Sequence, residues 1–195
     1  MHQLSNSVPE VITVGAGAYL VRTVKADDAS ERWATWFSDP HVMFTLNSPN
    51  TKWSKDTVIK YINQFDQKSN LLFGIFAKQQ ETLVGIFTIK INHATRQGLI
   101  TVLIGESEYR NKGAFSAVRV PLYDYLFGTL RLKMLLASVL PRNNIVIDSM
   151  LKKGWKLDQT LKNHIKSNSV DAMLDLCLFS LTRESWRAWR KANRA

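Results

Sequence analysis

The chain has 195 residues, 45% of them hydrophobic, which fits one folded domain and is too apolar for a disordered chain. No apolar run approaches the roughly 18 residues that span a bilayer. Residues 1–10 are polar, without the apolar core of a secretory leader, and the single cysteine, Cys177, leaves no internal disulfide, so a reducing, cytoplasmic setting is the simplest expectation. The formal net charge of +10 favours anionic ligands, phosphorylated small molecules or nucleic acid among them, and repels polycations.

Residues 10–14 and 19–25 are short and β-branched and read as strands, with Gly15 and Gly17 turning between them. Asp27 or Asp28 is expected to cap a helix through about Phe37, with Trp33, Trp36 and Phe37 on one side and Asp39-Pro40 as its stop. Asn47, Ser48, Pro49 and Asn50 make residues 45–52 loop-like. Ser54 opens a second helix to about Gln67, in which Val58, Tyr61, Ile62 and Phe65 keep helical period. Three strands follow, 71–77, 82–91 and 99–104, joined by hairpins near Gln79-Gln80 and at 94–97. After a turn at 108–116 come a helix over 117–127, a strand over 132–140 and a helix from Asn143. Two last strands, 155–165 and 170–181, turn at Asn168-Ser169, and Cys177 in the second is expected to be buried packing. The tail carries Arg183, Arg187, Arg190, Lys191 and Arg194 beside Trp186 and Trp189. That pattern fits a solvated amphipathic helix whose tryptophans cap the core; a nucleic-acid or ribosome contact and a membrane-surface or partner contact are the alternatives. The order implies a single α/β (α+β) domain: a mixed, mostly antiparallel sheet of about seven strands with helices on both faces. Its 99–104 and 132–140 strands are joined by a parallel crossover, expected to be right-handed.

The most informative segment is Glu108-Tyr109-Arg110-Asn111-Lys112-Gly113-Ala114-Phe115-Ser116. A basic turn between a strand and a helix gathers free main-chain N–H groups at the positive end of the helix dipole, where phosphate binds. Arg110 and Lys112 add charge, and Gly113 allows close approach or a positive φ. A purely steric glycine is the competing reading of that turn.

Order and spacing resemble the GNAT superfamily of N-acetyltransferases, in its ribosomal-protein-alanine-acetyltransferase-like branch. The family's loop reads Arg/Gln-x-x-Gly-x-Gly/Ala; Arg110 and Gly113 match, and Phe115 departs from it. Pro141-Arg142-Asn143 stands where the family often has Pro-x-Asn, Lys152-Lys153-Gly154-Trp155 where it has Lys-x-Gly-aromatic, and residues 175–186 look like that branch's tail. The resemblance implies acetyl-CoA as co-substrate, no metal, and direct attack by a neutral primary amine at a sheet splayed at the CoA site. The diphosphate would rest on the main-chain N–H groups of Asn111, Lys112, Gly113, Ala114, Phe115 and Ser116, helped by the Arg110 and Lys112 side chains. The pantetheine arm would follow the backbone of Leu103 and Ile104, with a strand N–H near Ile104 as oxyanion donor. Asn143 is either a helix cap, worth about 1 kcal/mol, or a contact to the CoA arm, and the two roles are compatible.

The amine must lose a proton. For an α-amino group this costs about 1.4 kcal/mol at pH 7, and for a lysine-like amine nearly 5 kcal/mol, roughly. Many relatives carry Glu where Leu99 stands and Tyr where Met150 stands, and neither substitute transfers a proton. The remaining candidates are His164, His93, Asp175 and Ser149, with Glu106 and Asp148 behind them. Each histidine ends a strand and either faces the acceptor cleft or is a surface residue. Asp175 lies between Leu174 and Leu176, where a lone carboxylate is costly unless paired or functional. Ser149 points about 100° from Met150 on a helix, and Glu106 is expected to be solvated. Acceptors in view are small amines, including nucleotide-linked amino sugars, and protein N-termini; the charge disfavours a bare polyamine. Specificity is expected from the early helices and residues 45–53. The missing Glu and Tyr motivate the alternative of a catalytically silent fold that binds CoA or another chain. Monomer and homodimer are both open.

Overall fold

The computed structural model describes residues 11–12, 17–49 and 51–193. The ten N-terminal residues, the Gly15 turn, the rest of the 10–14 strand, Asn50 and Arg194 lie outside them. The strands are β1 (Val11–Ile12), β2 (Tyr19–Thr23), β3 (Asn70–Ala77), β4 (Thr82–Asn92), β5 (Gln97–Ile104), β6 (Met134–Val139), β7 (Lys156–Lys166) and β8 (Met173–Thr182). The helices are α1 (Glu31–Ala34), α2 (Pro40–Leu46), α3 (Lys55–Ile62), α4 (Ala114–Asp124), α5 (Asn144–Leu151) and α6 (Arg183–Ala192). One sheet runs β1-β2-β3-β4-β5-β6-β8-β7, antiparallel at every neighbouring pair but β5–β6.

That parallel pair is short. Gln97, Gly98 and Leu99 align with Met134, Leu135 and Leu136; beyond Leu99, β5 continues on β4 alone and β6 on β8 alone. The sheet opens into a V there, as the resemblance implied. Its two faces are covered separately. On one, Trp33, Trp36, Val42, Val58 and Ile62 from α1–α3 and their connections pack on Leu72, Ile86 and Leu103. On the other, Val118, Leu122, Leu126 and Trp186 pack on Phe73, Phe87, Leu135 and Phe179.

Local starts and stops differ from the predicted ones for identifiable reasons. The first helix is capped by Ser30, whose hydroxyl accepts from the Trp33 N–H, and not by Asp27 or Asp28. Asp28 closes a 3₁₀ turn (Ala26–Asp28), where it takes the Lys25 N–H and the Arg22 guanidinium. Asp39-Pro40 ends the first helical stretch, with Asp39 closing the 3₁₀ turn Thr35–Ser38, and at the same time begins a second helix. Asp39 accepts from the His41 and Val42 N–H groups and Pro40 fills the first helical position, where no N–H is needed. Helix α2 therefore claims residues 45 and 46 from the predicted loop. Helix α3 stops at Ile62, five residues early, because Asp66 gathers the N–H groups of Lys68, Ser69 and Asn70, each at 2.8 Å, and turns the chain into β3.

Candidate active site

Beyond β5, Gly105 lies flat against Trp36: a Cβ there would come within 1.9 Å of the indole Cδ2. A 3₁₀ turn (Ser107–Tyr109) follows, then left-handed residues at Asn111 (φ 58°) and Gly113 (φ 80°), then α4. Gly113 is the N-cap and its carbonyl accepts from the Ala117 N–H at 2.9 Å, the first bond of the helix. The N–H groups of Ala114, Phe115 and Ser116 precede that bond and find no acceptor among the described residues. A Cβ at Gly113 would meet nothing within 4 Å, so the mouth of the turn is open. Asn111, Lys112 and Ser116 are exposed. Phe115, the residue that departs from the family pattern, turns inward, its ring centroid 5.6 Å from that of Phe87, and leaves the mouth clear.

Two predicted contributions are corrected. The Arg110 side chain is committed elsewhere. Its Nε donates to the Ile104 carbonyl at 3.2 Å, and its Nη2 donates to the Gly105 carbonyl and to Asp39 Oδ2, both at 2.5 Å. It braces the end of β5, and its charge is matched by Asp39. The second correction concerns the open edge. The Gly105 N–H donates to the Val84 carbonyl on the β4 side at 3.0 Å. In a trans peptide the Ile104 carbonyl then points the opposite way, into the V. A strand residue's own N–H and C=O point to one side and alternate along the chain. Ile104 and Val102 therefore face the cleft, whereas Leu103 faces Ile86 on β4 and offers it no main-chain group.

A second tie flanks the first. Glu106, expected to be solvated, is 8% exposed and accepts from Arg32 Nη2 at 2.6 Å and Trp36 Nε1 at 2.9 Å. Its hydrogen bond with Glu106 raises the Arg32 pKa further. Burial pushes the Asp39 carboxyl up, but the bond from Arg110 and those from the His41 and Val42 N–H groups outweigh it and hold the group below the usual carboxylate range. The first helical layer thus grips the turn at two ion pairs.

The opposite rim is knotted by Asn47, buried and left-handed (φ 51°) at the end of α2. Its Nδ2 donates to the Lys166 carbonyl at 2.9 Å and its Oδ1 accepts from the Asn168 N–H at 3.0 Å. The Arg142 guanidinium lies 3.9 Å over the Phe44 ring and donates to the Phe44 carbonyl. The Asn143 side chain does not cap α5. Its Nδ2 donates to the Thr45 carbonyl at 3.0 Å, and its main-chain carbonyl accepts from Val146 and Ile147 instead.

The four catalytic candidates do not converge. His93 sits in the β4–β5 hairpin, 3.2 Å from Ser69 Oγ, at the other end of β5 from the basic turn, about 23 Å away by strand rise. It cannot reach an acyl group held at Ile104. It lines a shallow groove of about 540 Å³ with Lys90, Gln97, Leu99 and Leu136, which shares that distance from the turn. His164 is exposed on β7, where the register shifts between Leu161 and Ile165. Asp175 is not a lone carboxylate: it accepts from Lys162 Nζ at 2.6 Å and from the Asn163 N–H at 3.0 Å, which pins that irregularity and holds its pKa down. Ser149 accepts from Lys153 Nζ, Met150 is buried in the core, and Asp148 is exposed. Sequence reading missed Asp39, Trp36 and Arg32. The one signal available was Asp followed by Pro, a helix-start signature.

A sequence profile described as an acetyltransferase (GNAT) domain matches residues 19–156. The probable N-acetyltransferase YjcK of Bacillus subtilis is 28% identical over 117 residues, which are 58% of this chain and 63% of that protein; the match spans less than two thirds of the relative's length. Among solved structures, RimJ of Mycobacterium smegmatis in complex with CoA-disulfide aligns with a TM-score of 0.74 at 21% identity, covering 94% of this chain and 93% of that one. Spermidine N-acetyltransferase of Vibrio cholerae in complex with CoA and spermine aligns with a TM-score of 0.77 at 16% identity, covering 87% and 98%. These structures share the fold.

Proposed function

As this chain belongs to the GNAT acetyltransferase family, we propose that it is an acetyl-CoA-dependent N-acetyltransferase acting on a primary amine. The observation that carries this reading is the continuity of an open strand edge, Val102 and Ile104, with a glycine-capped helix start whose N–H groups lack partners. The residues fit the coenzyme: a thiol-linked arm can pair with the edge as an added strand, and a diphosphate can settle on the amides of Ala114, Phe115 and Ser116 beside Lys112. The bound coenzyme supplies an activated acyl carbonyl. The Ile104 N–H, aimed into the V, donates to the charge that develops on its oxygen. Arg110 and Asp39 hold that strand end in register. The Asn143 Oδ1 has no partner among the described residues and is placed to orient the arm.

None of the candidate proton carriers converges on the V among the described residues, so the reading favours an amine that ionises near neutrality, an α-amino group or an amino sugar, over a lysine-like amine. Net charge favours an acceptor bearing negative charge. Beside the turn, Asp39 and Glu106 are already paired with arginines, which leaves Glu108 as the exposed carboxylate there. Thiol release from acetyl-CoA, measured against α-amino peptides, amino sugars, nucleotide-linked amino sugars and polyamines, tests the proposal. Turnover with an α-amino or amino-sugar acceptor supports it. CoA binding without turnover on any amine would favour the silent module that Leu99 and Met150 suggest, and an absence of CoA binding would overturn both.

A further inference from the structure

The end of the sheet farthest from the basic turn carries charge that nothing in the described chain answers. There the β4–β5 hairpin, the connection from α4 to β6 and the start of α6 are seamed together by their main chains. The Lys133 N–H donates to the Arg96 carbonyl at 2.7 Å, and the Arg183 N–H donates to the Lys133 carbonyl at 3.0 Å. The Arg183 guanidinium closes the seam on the Arg131 and Leu132 carbonyls and meets no carboxylate. Residues 90–97, 131–134 and 182–187 hold Lys90, Arg96, Arg131, Lys133, Arg183 and Arg187 against a single carboxylate, Glu184. Arg96, Arg131, Lys133 and Arg187 are exposed, and their side chains have no hydrogen-bond or ion-pair partner among the described residues. Two of them sit on strained backbone. Arg96 and Arg131 each have φ 54°, in the left-handed region that favours glycine or asparagine. A basic side chain kept at such a position, twice on one seam, marks a surface that uses the charge.

The seam borders the shallow groove of about 540 Å³ at His93. Gln97 belongs to both: it lines the groove, and it pairs with Met134 beside Lys133. The groove has an apolar floor, Leu99 (43% exposed) and Leu136, and a polar rim of Lys90, Asn92, His93 and Gln97 without a carboxylate. A phosphodiester chain on the seam and a base on that floor would use both features. An unpaired base offers an apolar face to the leucines and hydrogen-bonding edges to the Asn92 and Gln97 amides. We propose that this end of the sheet binds a single polynucleotide strand, its backbone on Arg96, Lys133, Arg131 and Arg187 and one unstacked base in the groove. A duplex hides its bases and meets the seam by charge alone. A membrane surface fits less well, because α6 commits its apolar face to the core: Trp186 is 2% exposed and stacks on Trp189 at 5.2 Å. The length of β5 separates this surface from the basic turn, so it stands independently of the acyl chemistry.

The test is fluorescence anisotropy of a labelled RNA strand of about twelve nucleotides, set against the matching duplex, polyglutamate and vesicles of phosphatidylcholine and phosphatidylserine. With four unpaired cations releasing counterions at a slope of about 0.7 each, affinity for the strand should fall about fiftyfold between roughly 50 and 200 mM salt. Arg96→Gly combined with Arg131→Gly halves that slope, so the fall shrinks to about sevenfold. Glycine suits both backbones, so the double variant should keep or raise the wild-type Tm while it loses affinity. The wild type should prefer the strand to the duplex by about tenfold, and Leu99→Ala should narrow that preference. Saturating CoA should leave strand binding unchanged. No binding at low salt, undiminished affinity in the double variant, equal affinity for strand and duplex, or displacement of the strand by CoA overturns the proposal. Polyglutamate or the vesicles bound as tightly as the strand would make the partner an acidic protein or a membrane, and overturn it too. Should the double variant fail to fold, Arg187→Gln, exposed on α6, is read in its place, with the salt slope expected to drop by about 0.7.

Discussion

Asp39 does two jobs, and Asn and Ala substitutions separate them. Its carboxylate caps α2 through His41 and Val42, and it pairs with Arg110 at 2.5 Å, with the two side chains 28% and 17% exposed. Asn is as good a cap as Asp but brings no charge. Asp39→Asn therefore removes one charge-assisted hydrogen bond, about 1.5 kcal/mol, and Asp39→Ala removes the cap as well, about 1 kcal/mol more. At about 3 °C per kcal/mol for a chain of this size, Tm should fall by about 5 °C for Asn and about 8 °C for Ala. The pH dependence follows from the lowered carboxyl pKa. A depressed pKa stabilises above the unfolded value, about 3.9, and that stabilisation is lost as pH falls through the folded value. The gap between wild type and Asp39→Asn should be full at pH 7 and should close below about pH 4. Because Arg110 also holds the Ile104 and Gly105 carbonyls, Asp39→Asn should raise KM for acetyl-CoA more than KM for the amine. Thermal unfolding from pH 3 to pH 8 and steady-state kinetics read all of this. An Asn variant as stable as wild type at pH 7, or a gap that persists unchanged to pH 3, would refute the pairing argument.

Gly113→Trp should abolish CoA binding in calorimetry while the chain still folds, since the new side chain enters open space and the positive φ costs about 1–2 kcal/mol; unchanged affinity would mean that the diphosphate does not rest there. Gly105→Ala forces a Cβ into the Trp36 ring and should cost about 3 kcal/mol, read as a lower urea midpoint with an unaltered slope; a neutral result would show that Trp36 yields easily. His93→Ala should keep the wild-type pH–rate profile because the whole of β5 separates it from the turn. His164→Ala is expected to match it, and a lost basic or acidic limb in either variant would make that histidine the proton carrier.

Much of the fold was legible because its cues are local. The 3.6-residue and 2-residue periods, the hairpin turns and the basic turn before α4 each depend on neighbours in sequence, and the hairpins and the parallel crossover followed from them; the seat of β8 between β6 and β7 did not. Asp39-Pro40 was half read: the stop after Ser38 was expected, but the same dipeptide also begins the next helix, which the Asp39 side chain caps. The site was half legible. Gly113 and the amides after it were readable, since a helix start exposes N–H groups whatever the tertiary context. The fate of Arg110 was not, because its partner Asp39 is 71 residues away. Glu106 looked solvated for the same reason: Arg32 and Trp36 lie 74 and 70 residues off. Leu103 was assigned to the edge where a count of peptide parity from Gly105 selects Ile104 and Val102.

The Asn47 knot bears on how this protein folds. Its side chain and those of Arg142 and Asn143 join segments 98 to 121 positions apart, far beyond the hairpin separations within the sheet. Closing such large loops loses more chain entropy than any hairpin, so these bonds belong to the last stage of assembly. Asn47→Ala should then accelerate unfolding and leave the refolding arm of a chevron in place. Around the native state, the same rim should exchange its amide hydrogens before the central strands do, a door that swings against a fixed sheet.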